Sequence, residues 1–340
     1  MELRKPGPGV GALWHAALFV ALVATAFIGM GLISLPPTNV TTIWMPAGVA
    51  VAVMVLRLGW SALPTIWLAN CAVVFLANGY SPLEWRPFTY MVAAVNTLSP
   101  ALGYWVWTRW LRGSPFEDSR EYLRFVLGVA LVPSLLTSWA VIAIIVLAGG
   151  LPGLDWNGFL IRSGSIMMSG SLGVLLMVPL ILAPLKEGPA ERPPAIIGCH
   201  LLNLAMITAV AAGAFHFGHY LVYLIIPAVL ISALLAGARG VAAGVLLFSF
   251  YGLIATANGL GPFVRLGDDP NTFRPVFEMG LFAFALSLPG QYAGIARREL
   301  LRYQASLERM VERRTSALVA ARDRAERADR AKTGFLAAMS

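Results

Sequence analysis

Charged residues are scarce in this sequence. Only 12% of its 340 residues are Asp, Glu, Lys or Arg, whereas 58% are hydrophobic. That balance lies far from the composition of water-soluble domains and predicts a membrane protein surrounded by lipid. The arginines are spread over the ends of apolar runs instead of forming a basic stripe, which argues against nucleic-acid binding.

Cysteine and histidine are scarce as well. Cys71 and Cys199 lie inside apolar runs without CxxC spacing, so we expect them to be buried apolar side chains. The four histidines form no ligand-spaced set beyond the weak pair His216 and His219. The sequence also lacks a nucleophile–base arrangement and a phosphate-binding glycine loop. We therefore expect no metal, no cofactor and no catalytic residue in this chain.

Long apolar runs make up most of the sequence, and each is close to the ~20 residues needed to cross a bilayer. The second run starts with Pro46 and Gly48 and is short enough to be a half-span, so we expect eight to ten transmembrane helices in an all-α bundle. The ten candidates lie near residues 12–34, 43–58, 61–79, 88–111, 122–149, 157–184, 196–217, 221–237, 240–258 and 275–296.

Basic residues predict the orientation of this bundle, because cytoplasmic loops carry an excess of Lys and Arg. With the N-terminus inside, only Arg86, Arg265 and Arg274 lie outside. We therefore expect a bacterial cell-membrane protein with residues 1–11 and the C-terminus in the cytoplasm. The basic residues predicted to lie inside are Arg4, Lys5, Arg57, Arg109, Arg112, Arg120, Arg124, Lys186, Arg192 and Arg239.

The tail after residue 296 has a different composition. It holds 17 of the 42 charges, and its Ala, Arg, Glu and Leu content favours helix. Heptads counted from Leu300 place mostly apolar or small residues at the a and d positions, which predicts a parallel coiled-coil dimer weakened by arginines at the seam. A solvated single helix is the alternative. The residues of the predicted signal-transmitting seam are Leu300, Leu307, Met310, Arg314, Ala321, Ala328 and Phe335.

The last residues, "AKTGFLAAMS" (331–340), resemble the start of the dimerisation and phosphoacceptor domain of bacterial sensor histidine kinases. The resemblance implies that residues 297–330 are a signalling helix and that the phosphorylated histidine would follow Ser340. It further implies a kinase part that uses ATP and Mg²⁺ and a response regulator as partner. Residues 1–340 alone are expected to show no phosphotransfer.

Residues 12–296 resemble the MASE1 family of integral-membrane sensory domains, which precede histidine kinase and diguanylate cyclase modules. The resemblance implies a membrane sensor that passes a signal to a cytoplasmic output, with a diguanylate cyclase as an alternative output. A multi-span transporter and a dimerising scaffold are rival interpretations. The matching stretches are "IWMPAGVAVAVMVL" (43–56), "NTLSPALGYWVWTRWL" (96–111), "SREYLRFV" (119–126), "SGSLGVLLMVPLIL" (169–182) and "GLGPF" (259–263).

Ionisable and aromatic residues near the outer ends of the spans are the candidates for ligand binding, because charges are costly in lipid. We expect an outward-opening pocket for an unknown small ligand, lined by Trp44, Arg162, His216 and Glu278, with Arg162 and Glu278 either paired or facing a polar ligand. Snorkelling of arginine and the preference of tryptophan for the membrane interface are the alternative explanations.

Small and polar residues inside the spans are expected to serve helix packing. Gly240 and Gly244 form one small-residue stripe, and Ser165, Ser169 and Gly173 form another. Asn70, Asn96, His200 and Asn203 are expected to form hydrogen bonds between helices.

Overall fold

The computed structural model describes residues 8–32, 41–78, 87–149, 154–183, 193–264 and 273–339, and in these ranges it is a bundle of helices without a β-strand. The predicted fold class, a polytopic all-α bundle, is confirmed. The α-helices are α1 (Pro8–Leu32), α2 (Met45–Val53), α3 (Leu63–Asn78), α4 (Pro87–Trp110), α5 (Ser119–Arg124), α6 (Val132–Leu147), α7 (Trp156–Leu182), α8 (Pro193–His216), α9 (Ile225–Ala257) and α10 (Phe273–Met339).

Short irregular helices join some of these elements. A π-helix, Met54–Leu58, continues α2, and a 3₁₀ turn, Gly59–Ala62, leads into α3. A second π-helix, Phe125–Leu131, joins α5 to α6, and a 3₁₀ segment, His219–Leu224, precedes α9. Each of these joins merges neighbouring helices into a longer continuous helical stretch.

Seven helical stretches in the described part of the chain are long and apolar enough to cross a membrane. They are Gly11–Gly31, Met45–Ala77, Ser119–Leu147, Trp156–Leu182, Ile197–His216, Tyr220–Ala257 and the beginning of Arg274–Arg327. Helix α4 is not among the seven, because Asn96, Thr97, Ser99 and its Tyr and Trp residues make it more polar. Apart from Arg274–Arg327, which runs on into the charged tail, the two longest of the seven stretches have 33 and 38 residues and exceed the length of one span.

The 33-residue stretch reverses direction at Gly59, whose φ of 55° is readily accessible only to glycine. Arg57 and Thr65, on either side of this glycine, contact neighbouring residues of α1. The Arg57 guanidinium lies 5.7 Å from the centroid of the Trp14 ring, and Thr65 Oγ1 lies 2.8 Å from His15 Nδ1. A straight helix would separate residues 57 and 65 by about 12 Å. Helices α2 and α3 therefore run in opposite directions, and both pack against α1.

The 38-residue stretch reverses at Gly237, which has φ 60° and ψ −158° inside α9. A Cβ on Gly290 of α10 would lie 2.5 Å from Val229 Cγ1 and 2.9 Å from Val241 Cγ1. In a straight helix these two valines would be about 18 Å apart. Helix α9 is therefore a hairpin with one arm at residues 225–236 and the other at residues 238–257, and we call Gly237 its tip.

Counted by direction, the described helices form ten segments, which we call passes, one for each apolar run of the sequence; the α2 pass is a partial one. The seven long stretches give nine passes because two of them reverse, and α4 gives the tenth. One end of the bundle carries Arg57 and the α9 tip, and we call it the Arg57 end; the other is the His216 end. The described basic residues that were predicted to lie inside are all at the Arg57 end, and Arg274 is at the His216 end. The former are Arg57, Arg109, Arg112, Arg120, Arg124 and Arg239.

The chain divides into two compact units, Met1–Ala296 and Arg297–Ser340. The first contains all ten passes and the buried core. The second is the tail of α10, in which the described side chains between residues 300 and 327 are exposed.

The tip of α9 provides a test of this topology. The backbone angles of Gly237 belong to a region that is essentially restricted to glycine, so Gly237→Ala should destabilise the bundle by about 1–3 kcal/mol. The measurement is an SDS unfolding titration in mixed micelles, followed by circular dichroism.

Gly198→Ala is the matched control, because Gly198 lies in α8 with open space where the alanine Cβ would stand, and alanine there favours helix. Equal stability of the two variants would contradict the reversal at Gly237.

Candidate functional site

Residues 41–44 enter the interior of the bundle as non-helical chain ahead of α2. Thr41, Thr42 and Ile43 are 4%, 1% and 0% exposed. The Trp44 backbone N–H donates a hydrogen bond of 2.9 Å to the carbonyl of Ser169, the midpoint of α7. Non-helical backbone at this depth is tolerated only where protein surrounds it. Helix α2 therefore begins in the middle of the bundle, as the prediction of a half-span anticipated.

Helices α2 and α7 run parallel and touch through glycine. A Cβ on Gly173 would collide with the Trp44 carbonyl, and one on Gly48 would collide with the Gly173 carbonyl. The Thr41 and Ser169 hydroxyl oxygens lie 3.3 Å apart at the start of this contact. Ser169 and Gly173 of the predicted small-residue stripe thus contact α2 and the residues just before it, as expected for small residues in membranes.

Three of the four residues of the predicted pocket, Arg162, His216 and Glu278, lie toward the His216 end, and Trp44 lies at the middle of the bundle. Trp44 is half-buried against α7. Arg162 is half-buried on α7, two residues before Gly164, which packs against the Phe277 ring. Glu278 follows that phenylalanine and forms an ion pair with Arg274, at 3.3 Å. The pairing of Arg162 with Glu278 stays a prediction.

His216 has a different neighbourhood from the other three. It is exposed, and its ring meets the edge of Tyr251 at a centroid distance of 6.0 Å. The preceding residue, Phe215, is buried among aromatic rings of α8, α9, α10 and the 259–263 turn. A Cβ on Gly261, which has φ 92°, would collide with the Phe215 ring. The "GLGPF" turn therefore caps this aromatic cluster, whose rings are Phe215, Phe248, Tyr251, Phe263 and Phe282.

Two predicted interhelical hydrogen bonds are present. Asn70 Nδ2 of α3 donates to Thr97 Oγ1 of α4 at 3.2 Å, and Asn203 Nδ2 of α8 donates to the Gly240 carbonyl of α9 at 2.9 Å. Gly240 and Gly244 allow α8 to approach at this point, since a Cβ on either would lie within 4 Å of Asn203. These groups serve packing, as expected.

The bundle-embedded part of α10 is held by side chains that the sequence pattern did not single out. Gln291 is fully buried, and its Nε2 donates to the Leu175 carbonyl of α7 at 2.9 Å. A Cβ on Gly294 would lie 2.9 Å from the Ala238 backbone nitrogen, so the α9 tip sits directly on α10. An isolated glutamine in an apolar span and glycines four residues apart are signals that could have identified this region.

The "SREYLRFV" stretch also packs against α10. Asp118 caps α5 by accepting hydrogen bonds from the backbone N–H groups of Arg120 and Glu121. The Glu121 carboxylate accepts from the Arg112 N–H at 3.0 Å and from the Arg124 guanidinium, which fixes the preceding loop. The fully buried Tyr122 ring then lies 6.5 Å from the Tyr292 ring of α10.

In the second unit, the predicted seam residues that the structure describes lie on one exposed helix. Leu300, Leu307 and Met310 are 58%, 59% and 49% exposed. The side chains of Ala328 and Phe335, and residue Ser340, lie outside the described residues. Exposed leucines at heptad spacing are consistent with a partner, which the single chain does not contain.

Metal ligands do not cluster in the described ranges: no group of three or more His, Cys, Asp or Glu could hold an ion there. Cys71 is buried and Cys199 is half-buried, both as free thiols.

The α2–α7 contact can be tested with two neighbouring glycines of α7. Gly173→Ala should destabilise the bundle by about 1–3 kcal/mol, because the new Cβ meets the Trp44 backbone, which cannot move without displacing α2. In Gly170→Ala the new Cβ meets the Ser134 hydroxyl at 3.0 Å, which can rotate away, and Ser134 Cβ at 3.4 Å, an ordinary contact distance. SDS unfolding titrations compare the two, and a Gly170→Ala cost equal to that of Gly173→Ala would contradict the contact.

Comparison with known proteins agrees with this architecture. The MASE1 family model matches residues 14–288, which include nearly all of the bundle. Neither the curated proteins nor the solved structures gave a match. MASE1 is a membrane sensory domain of signalling proteins. Its match covers most of the chain, and this integral membrane protein belongs to the MASE1 family.

Proposed function

We propose that this chain is the sensory part of a histidine kinase, in which a stimulus at the bundle changes helix packing and α10 passes the change to a cytoplasmic kinase. The observation that carries the proposal is the extent of α10, which includes both the last membrane segment and the tail in one helix, Phe273–Met339. A continuous helix can carry displacement along its length, and a stimulus acts by favouring one of two packing arrangements.

The output is proposed from the tail sequence. Residues 331–340 resemble the start of a phosphoacceptor domain, so the full-length protein would be an ATP- and Mg²⁺-dependent histidine kinase acting on a response regulator. A diguanylate cyclase output is the alternative that MASE1 membership supports.

The orientation is proposed from charge. Described basic residues concentrate at the Arg57 end, and on the positive-inside rule we propose that this end faces the cytoplasm of a bacterial cell, with both termini on the same side. The His216 end then faces outward, together with the proposed ligand-binding residues Arg162, His216 and Glu278, and the fourth, Trp44, lies at the middle of the bundle.

A transporter is the second candidate, and a specific observation favours it. Helix α2 is discontinuous and starts at the midpoint of α7, an arrangement that many transporters use for substrate binding. Flux of a substrate into proteoliposomes containing only this chain would support transport over sensing.

Transmission through a dimer predicts specific cross-links in the tail. In a chain with Cys71 and Cys199 replaced by alanine, Met310→Cys should form an intermolecular disulfide in membranes under mild oxidation, because heptad d positions of two helices come within disulfide distance. Glu312→Cys, which lies on the outer face in the same heptads, is the control. The yield is read on non-reducing gels, and equal yields at the two positions would reject the parallel coil.

The proposed pocket predicts variant-specific loss of ligand stabilisation. A panel of carboxylate, phosphate and amino-acid solutes is screened for compounds that raise the melting temperature of the detergent-solubilised protein, since a ligand stabilises the state it binds. The rise should disappear in Arg162→Ala and Glu278→Ala but persist in Arg274→Ala, which removes only the exposed partner of Glu278. A stabilising compound whose effect survives in both of the first two variants would exclude this pocket.

A further inference from the structure

Gln291 places an amide in the apolar interior of the bundle, where an unbonded amide is costly. Its Nε2 donates to the Leu175 carbonyl of α7 at 2.9 Å and to Ser287 Oγ of its own helix at 2.8 Å. The side chain is 0% exposed. The glutamine is therefore held where it can reach an acceptor on the neighbouring helix.

Pro179 makes that acceptor available. In a regular helix the Leu175 carbonyl would accept the backbone N–H of residue 179, four positions later. Proline has no N–H, and Pro179 lies inside α7. Gln291 thus supplies the donor that the backbone of α7 lacks. Because a carbonyl can only accept, the amide must present Nε2 to α7.

Only one of the two polar atoms of the Gln291 amide, Nε2, forms hydrogen bonds in the described part of the chain. Its Oε1 is buried and has no hydrogen-bond partner among the described residues. The desolvation cost of that oxygen offsets part of the gain from the two bonds of Nε2. The net stabilisation of the contact is therefore less than its two hydrogen bonds alone would give.

The same turn of α10 also packs against helix α9. Gly290 lies between Val229 and Val241 of the two α9 arms, and Gly294 rests on the tip at Gly237. Within one helical turn, α10 is hydrogen-bonded to α7 and packed into the α9 hairpin. This turn ends just before Arg297, where the second unit begins.

We propose that the hydrogen bond from Gln291 to the Leu175 carbonyl is a latch that fixes the position of α10, and that the stimulus acts by shifting the equilibrium between its closed and open forms. The inference rests on the proposed function, since it names the contact through which the bundle controls its output helix.

A double-mutant cycle tests the latch itself. Gln291→Leu should raise the unfolding equilibrium constant about threefold, the average effect of an interhelical hydrogen bond in membrane proteins. Pro179→Ala restores the N–H that Leu175 lacks, so in that background Gln291→Leu should have little further effect. The measurement is SDS unfolding of residues 1–340 in mixed micelles. An equal effect of Gln291→Leu in both backgrounds would overturn the latch.

Asn203→Leu is the matched control for the cycle. Asn203 also donates to a carbonyl of a neighbouring helix, that of Gly240, but residue 244 is a glycine with its N–H intact. Asn203→Leu should therefore change the unfolding equilibrium constant by the same factor with and without Pro179→Ala. A dependence of the Asn203→Leu effect on Pro179 would mean that Pro179→Ala disturbs the bundle generally, and it would overturn the assignment of coupling to Gln291.

Hydrogen–deuterium exchange tests the control of α10 and does not require Pro179→Ala to fold. In lipid nanodiscs, Gln291→Leu should increase the exchange rate of residues 297–306 about threefold, because opening of the latch frees the helix that follows. Asn203→Leu should leave the exchange rate of residues 297–306 unchanged. Unchanged exchange in Gln291→Leu would overturn the regulatory role and leave only a structural bond.

Failure of the proposed function and failure of the latch appear in different experiments. If Met310→Cys forms no cross-link between copies, transmission through a dimeric coil is wrong. The unfolding cycle and the exchange experiment use single chains and still decide on the latch.

Discussion

The need to satisfy backbone polar groups inside a bilayer governs this structure. Lipid offers no hydrogen bonds, so each break in a helix must find a partner within the protein. Three irregular positions, residues 41–44, Pro179 and Gly237, are each covered by a neighbouring helix. The Trp44 N–H bonds to Ser169, the Leu175 carbonyl bonds to Gln291, and the α9 tip packs against Gly294. The irregular positions are therefore the places where particular helices are tied together.

Two of these three ties involve α7, which makes this helix the centre of the bundle. One face of α7 carries the parallel contact with α2 through Gly173, and Leu175, two residues later, bonds to α10. A shift of α2 against Gly173 would therefore strain the helix that supplies the acceptor for Gln291, because close-packed interiors transmit displacement instead of absorbing it. In this way a change at the non-helical entry to α2 can reach α10 through a single rigid element.

Much of the fold could be predicted from the sequence, because it follows from hydrophobic length. All ten apolar runs correspond to helical passes, and the half-span was visible from Pro46 and Gly48. The reversals at Gly59 and Gly237 were harder to predict. Both glycines stand in nearly continuous apolar sequence, where a glycine can equally well serve helix packing. The coiled coil, the orientation and the pocket stay predictions. Gln291 was missed because its importance depends on Pro179, which is 112 residues earlier and adjacent only in the fold.

The strength of the contacts around α10 bears on whether it can move. Interhelical hydrogen bonds in membrane proteins contribute about 0.6 kcal/mol on average and at most about 2 kcal/mol. Full conversion between two states requires a ligand to discriminate between them by about 5.5 kcal/mol. The latch therefore fixes α10 together with the glycine packing at the α9 tip, and a ligand with that discrimination can overcome both. A stronger tie, such as a buried ion pair, would hold α10 in one state. A neutral amide with one unpaired oxygen is thus a contact of the strength that the proposed switching of α10 would need.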